Sequence, residues 1–419
     1  MDIATAFNKS IFLLGAGASY GTGCKMSQDM LNALLEEILR GHRFSSTQKE
    51  AFMFLLSCLE YHNKWRSFQT NNKFIFTPNI EELALLIRRV KNRENFLPYP
   101  ITGNWADKLS LLESQHLKES SDETLFESLD RIIKQELLPS WLVFDKEKLK
   151  LFDPLRQLLA DYAEEDFKID LFSLNYDLVI ESYFNQYDVR PWRGFSNNDW
   201  RGFSFEEDSM TGKINLYKLH GSLDWVRLES GEVKEIDHCT NEELSIIDSR
   251  HNPYVIFGHG TKTFSVDPFF DLVHKFKSKL TYASYIFVIG YSFFDPYINN
   301  LIIEALNKGN KRLIIINPTF GPQEIKYKTA ENIEEAKTID NKNVNKILVE
   351  YIEAIQANPF YSEMPEFNIK RINGENSIIY YRIGFEKFIN DFFSNRGLKF
   401  KKLINSLETE KQAEDAPFE

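Results

Sequence analysis

The chain has 419 residues, enough for one large domain or two ordinary ones, and is 43% hydrophobic and 26% charged, the balance of a soluble globular protein. A formal net charge of −11 argues against sequence-independent DNA binding by the chain as a whole, and leaves room for a local basic patch or a partner that holds nucleic acid. No apolar stretch is long enough to span a bilayer, Met1–Ser10 lacks the regions of a signal peptide, and Cys24, Cys58 and Cys239 are too few and scattered for a disulfide framework or a Cys-only zinc site. The expectation is a cytoplasmic protein without membrane contact. Its 35 Phe and 18 Tyr predict a well-filled aromatic core or sizeable interfaces.

The first predicted strand and its loop occupy residues 10–19, where an apolar run stops at Gly15-Ala16-Gly17-Ala18-Ser19. Residues 27–40 follow with Met30, Leu31, Leu34, Leu35 and Ile38 at helical spacing. Strand, glycine-rich turn and helix together make a phosphate cradle. A tight turn needed only for packing reads the same way. The ordinary dinucleotide fingerprint is incomplete: Gly21 follows, but no second strand ends in an acidic residue at the expected distance. Residues 25–165 then look mostly helical. Thr47–Glu50 matches a capping box, Thr77-Pro78 an N-cap with a first-turn proline, and Pro98, Pro100 and Gly103 mark a weaker stretch over 98–125.

From residue 168 the pattern changes to short strand-like runs: 169–174, 214–219, 254–257, 285–289 and 313–316, with a late strand over 378–383. Runs apolar on both faces suit a parallel sheet covered by helices. The predicted fold is therefore α/β, with a large helical insertion (25–165) after the first strand and mostly helical residues from 321 to 407. Residues 408–419 are charged, lack an apolar pattern and are expected to be disordered. No internal repeat is present.

Each run ends in small or polar residues, and open α/β sheets bind ligands outside the carboxyl ends of their strands. The candidates are therefore Gly15 to Ser19; Asn175 and Asp177; His220; Gly290, Ser292 and Asp295; and Asn317. Asn175 offers a donor and an acceptor for a carboxamide or a water, or alternatively forms an Asx turn. His220 is suited to general-base work because histidine titrates near neutral pH. Gly290 permits close backbone approach, while Ser292, Asp295 and Asn317 can hydrogen-bond a phosphate or ribose, or serve as caps. His238, Cys239, His251 and His259 fit no regular zinc pattern, and no metal is expected. A serine-hydrolase alternative rests on Gly17-Ala18-Ser19-Tyr20-Gly21, with Ser19, Asp177 and His220 in α/β-hydrolase order. Against it, only a few residues precede the elbow.

Four motifs in order, Gly15–Ser19, Asn175–Asp177, Leu219–Ser222 and Gly290–Asp295, resemble the sirtuin-like NAD-hydrolase domains of bacterial anti-phage defence systems. The resemblance covers about residues 10–320. It implies a Rossmann-like NAD⁺ pocket with Gly15, Ala16, Gly17, Ala18 and Ser19 along the phosphates, and Asn175 at the ribose or attacking water. Asp177 would meet the nicotinamide carboxamide, His220 would be catalytic, and Ser292 and Asn317 would lie near the phosphates and adenosine ribose. It further implies an abortive-infection effector gated by homo-oligomerisation or by a partner, such as a HerA-type ATPase or a short Argonaute-type protein. Two departures stand out. Deacylating sirtuins carry a four-Cys zinc module after the histidine, where this chain has only Cys239, and Gly23–Asp29 replaces the family's segment after the glycine loop. A non-catalytic NAD or ADP-ribose binding module is the remaining alternative.

Overall fold

The computed structural model describes residues 1–94, 97, 101, 103, 105–120, 122–203, 213–236, 252–257, 267–309, 311–318, 341–356 and 378–414. Six strands form one sheet: β1 (Ser10–Leu14), β2 (Ile169–Ser173), β5 (Ile214–Lys218), β8 (Tyr285–Ile289), β9 (Arg312–Ile316) and β10 (Ile378–Tyr381). Their order is β10-β9-β8-β1-β2-β5, and every neighbouring pair is parallel. Every strand residue is buried, because helices cover both faces. The polar residues within strands are paired, as burial requires. Asp170 accepts from Asn215 and from the Tyr217 hydroxyl, each at 3.0 Å, and meets Lys279 at 2.5 Å.

The chain leaves β1, builds β2 and β5 on one side, and returns to lay β8, β9 and β10 on the other. The topological switch therefore falls between β1 and β8, where an open α/β sheet opens its crevice. The α/β sheet and the long helical insertion after β1 agree with the pattern read from the sequence.

Four differences have local causes. Tyr254–Phe257 adds no sheet strand; Val255 makes a single bridge to Gly221, and the segment crosses the end of β5. β10 pairs with β9, so the chain beyond residue 320 completes the sheet instead of forming a separate extension. Phe385–Glu414 forms two helices that meet at a kink over Ser394–Gly397, and the second runs into the expected disordered tail, because Glu408 is held by Lys9 at 3.1 Å and by the Tyr285 hydroxyl at 2.7 Å. Two helix starts shift by about a turn's fraction: Ser45, not Thr47, caps Ser46–Gln69, and Asn79, not Thr77, caps Ile80–Lys91. In each case the residue whose side chain reaches the N–H three positions on becomes the cap.

A second, antiparallel sheet was not anticipated. β3 (Phe195–Ser196), β4 (Asp199–Trp200), β6 (Trp225–Arg227) and β7 (Val233–Glu235) pair in the order β3-β4-β7-β6. Its first turn is Asn197-Asn198, both at positive φ (50° and 68°), a two-residue hairpin. The predicted aromatic core is present: Phe7 stacks on Phe400 at 4.7 Å between ring centroids, and Phe12 on Phe287 at 4.9 Å. Among the described residues no helix is long and apolar enough to cross a membrane.

Candidate active site at the strand ends

The glycine loop after β1 and the turn after β8 interlock. A Cβ on Gly15 would sit 2.6 Å from the Tyr291 Cα, and one on Gly290 only 2.5 Å from the Ala18 nitrogen. Gly290 also adopts φ +61°, which favours glycine. These glycines are thus required by the approach of two backbones. The loop N–H groups are correspondingly engaged: Gly15 donates to Ile289, Gly17 to Gly290, Ala18 to Gly15 and Ser19 to Ala16. The packing reading of this loop accounts for them. Ala16 is exposed on the outside of the turn.

After β2, Asn175 spends both amide hydrogens on that loop, on the Gly15 carbonyl and the Ser19 hydroxyl, each at 3.0 Å. Its Oδ1 remains as an acceptor. Asp177 acts as an Asx turn, accepting from the Val179 N–H at 3.1 Å, at the head of the helix Val179–Asn185. After β5, His220 is 4% exposed, and its Nε2 lies 3.0 Å from Asp295 Oδ2. Facing a carboxylate, Nε2 donates, which leaves the lone pair on Nδ1.

Asp295 is the residue whose role changes most. Its Oδ1 accepts from the N–H groups of Tyr297 and Ile298 at 2.8 and 3.1 Å, capping the helix Pro296–Asn307. A helix N-terminus favours a negative charge there. Asp295 is therefore the orienting partner of His220. The same geometry dismantles the serine-hydrolase alternative: the carboxylate on His220 is Asp295 and not Asp177, and Ser19 is tied to Asn175.

Two tyrosines inside the motifs Asn175–Asp177 and Gly290–Asp295, Tyr176 and Tyr291, complete the site. The Tyr291 hydroxyl takes the Asp295 N–H at 2.9 Å and donates toward the Asp295 carbonyl at 3.1 Å or Asn299 Oδ1 at 3.0 Å, fixing the turn that carries the carboxylate. Burial, then the Asp295 charge, holds that hydroxyl protonated far above the ordinary tyrosine range. Tyr176 lies beside the His220 ring, 6.4 Å between centroids, and its hydroxyl donates to the Ile256 carbonyl at 2.9 Å. Ile256 in turn donates its N–H to the His220 carbonyl at 2.9 Å.

Asn317 sits at the end of β9 and donates to the Tyr291 carbonyl at 3.2 Å. Ser292 is exposed on the turn. The structure thus links Gly15 to Ser19, Asn175, His220, Gly290, Asp295 and Asn317 through contacts at one edge of the sheet, while Asp177 turns back to its own helix. His238, Cys239, His251 and His259 lie outside the described residues, among which no group of His, Cys, Asp and Glu could hold a metal ion.

These features define an open α/β domain of Rossmann-like architecture, with a buried histidine–carboxylate pair across its switch point. Residues 170–341 match the SIR2-like domain family. No curated protein matches it in sequence. Among solved structures it is similar to an ADP-ribose complex of a Sir2 homologue, at 14% identity and a TM-score of 0.34, over 88% of this chain and 100% of that one. A structure bearing on sirtuin substrate affinity aligns at 11% identity and a TM-score of 0.31, over 75% of this chain and 84% of the other.

Proposed function

We propose that this chain is an NAD⁺ glycohydrolase that releases nicotinamide and ADP-ribose. The observation that carries the reading is the buried His220–Asp295 pair at 3.0 Å, set against loops that hold Asn175. The nicotinamide–ribose bond breaks with its electron pair going to the ring nitrogen, so nicotinamide leaves neutral and needs little acid help. The burden is an oxocarbenium-like ribose and a placed nucleophile. A water whose hydrogen is accepted by Asn175 Oδ1 is the nucleophile. His220, oriented by Asp295, takes the proton that water loses as its oxygen bonds to the ribose carbon.

A hydrolase active at all times would exhaust its own cell's NAD⁺. The reading therefore includes gating, by assembly of copies of this chain or by a partner such as a HerA-type ATPase or a short Argonaute-type protein, within bacterial anti-phage defence. Its support is the resemblance of the four motifs and the SIR2-like match.

The test is NAD⁺ consumption by the purified protein, beside His220→Ala and Asn175→Ala, with products resolved by chromatography and candidate partners added in turn. Nicotinamide and ADP-ribose from the wild type only are expected. Full activity in either variant would sink the assignment. Tight NAD⁺ binding with no turnover under any partner would favour a binding module.

A further inference from the structure

The helix Ser46–Gln69 is apolar on two faces. Its inner face buries Phe52, Leu55, Leu56 and Leu59 in the core, and Asn63 and Arg66 hold Glu82 of the helix Ile80–Lys91 at 2.8 and 3.3 Å. Its outer face carries Met53, Tyr61, Trp65 and Phe68, all exposed, Tyr61 by 53% and Phe68 by 73%. Trp105, also exposed, lies beside them, its ring centroid 5.7 Å from that of Phe54 and 6.3 Å from that of Tyr61. The water-facing side of a helix ordinarily presents polar residues. Single exposed apolar side chains need no explanation, but a contiguous strip of aromatics marks a surface that binds another molecule.

We infer that two copies of this chain pair through this outer face, with the two helices antiparallel about a two-fold axis at Tyr61. The spacing of the strip carries the inference. Phe54 and Ser57 stand seven and four residues before Tyr61, and Trp65 and Phe68 stand four and seven after it. Those offsets put all five on one side of a helix. A series symmetric about one residue is self-complementary under a two-fold axis, which is the condition for an isologous interface. Each Phe54 then meets Phe68 of the partner subunit, and Ser57, the small member, takes Trp65 of the partner subunit.

Charge and area agree with that pairing. Glu60 and Lys64 lie on one flank of the strip, both exposed, and neither forms an ion pair among the described residues. In an antiparallel pair this flank faces its own copy, so each Glu60 comes within reach of Lys64 of the partner subunit, and the contact forms twice. The strip with Trp105 exposes roughly 500 Å² of apolar surface per copy, taking about 200 Å² for each large side chain. A standard interface buries about 800 Å² per partner, a little over half of it apolar, and the strip supplies that share. The inference gives a surface to the assembly of copies included in the proposed function and does not rest on NAD⁺ hydrolysis. Its test reads mass and cross-links, so its failure leaves the reaction at His220 untouched.

The experiment is sedimentation equilibrium of the full chain at micromolar concentration. The samples are the wild type, Tyr61→Glu, Phe68→Glu, Glu60→Lys, and the swap of Glu60→Lys with Lys64→Glu, with thermal melting as a folding control. The wild type is expected to contain an even number of copies. Tyr61→Glu sets two carboxylates against each other on the axis and should raise the dissociation constant at least about thirtyfold, as loss of a central hot spot does, and halve the mass. Phe68→Glu should act in the same direction. Glu60→Lys brings like charges together and should weaken pairing several-fold, and the swap should restore it. Single cysteines then locate the axis under diamide, which takes up the two thiol hydrogens as the disulfide forms. Tyr61→Cys should give a covalent dimer beyond any wild-type background, whereas Phe68→Cys, about 21 Å from its counterpart at about 1.5 Å per residue, should not. A monomeric wild type overturns the inference and leaves the strip to a different protein. An unchanged mass in Tyr61→Glu with intact melting overturns it too, as does a covalent dimer from Phe68→Cys and none from Tyr61→Cys.

Discussion

Two carboxylate sites handle a buried negative charge in opposite ways. At the strand ends, Asp295 is held by two helix N–H groups and shares its other oxygen with His220. Its partners are neutral dipoles and one imidazole, all fixed by the backbone. In the neighbouring cluster, Asp224, Glu235 and Glu181 surround the buried guanidinium of Arg193, with Asp224 bridged bidentately at 2.7 and 2.8 Å. There, charge is balanced by charge. The first arrangement gives one defined proton position, which general-base work needs. The second stores three acids around one arginine, an arrangement whose value depends on every member remaining.

The sharpest way to break the contrast is Arg193→Met. Burial lowers the guanidinium's pKa, but Asp224, Glu235 and Glu181 outweigh it and hold it well above the ordinary arginine value. Removing that cation leaves Asp224 and Glu235 without their guanidinium and Glu181 with Lys218 at 3.4 Å, so a stability loss of about 3–5 kcal/mol is expected in chemical denaturation. A loss below about 1 kcal/mol would mean that water reaches the cluster and screens it.

Asp295→Asn tests the other site. The amide oxygen can still cap the helix Pro296–Asn307, so the melting temperature should hold, while the imidazole loses its charged partner. On the proposed reaction, turnover should fall by about 10², the usual worth of a positioned acid–base group. Unfolding of this variant would show that Asp295 serves the helix first and the histidine second.

Gly290→Ala attacks the scaffold under both loops. The added Cβ meets backbone at 2.5 Å, in a residue at φ +61°. About 2 kcal/mol of stability should be lost. The same variant locates what the sequence conveyed. A glycine pair after an apolar run signals a close approach, yet it does not say whether a ligand or another backbone approaches; here the β8 turn does. The strand-end positions of Asn175, His220 and Asp295 were legible because a parallel strand is an apolar run that stops abruptly. The bond between His220 and Asp295 was not, since it joins residues 75 apart in sequence and depends on strand order. The small second sheet was hidden for another reason: its strands are two or three residues long, too short for alternation to register, and only Asn197-Asn198 marked its turn.

Asp130 gives the smallest effect and the cleanest sign. It lies on the helix Leu125–Arg131, with Lys91 at 2.6 Å and Lys134 at 3.0 Å, and lines a cavity of about 550 Å³. Like Asp224 it is balanced by charge, but its cations are partly exposed. Burial raises its pKa, and Lys134 and Lys91 outweigh burial, so the net shift is below the ordinary aspartate value. A carboxyl with a depressed folded pKa contributes stability that is fully present above its unfolded value of about 4 and is lost as pH falls through the folded one. Asp130→Asn should therefore cost about 1 kcal/mol near neutral pH, with the gap to the wild type closing as pH falls below the ordinary aspartate range. If the gap keeps its size across that range, Asp130 acts through shape and hydrogen bonding. Charge-for-charge pairing would then stabilise only where, as around Arg193, water is shut out.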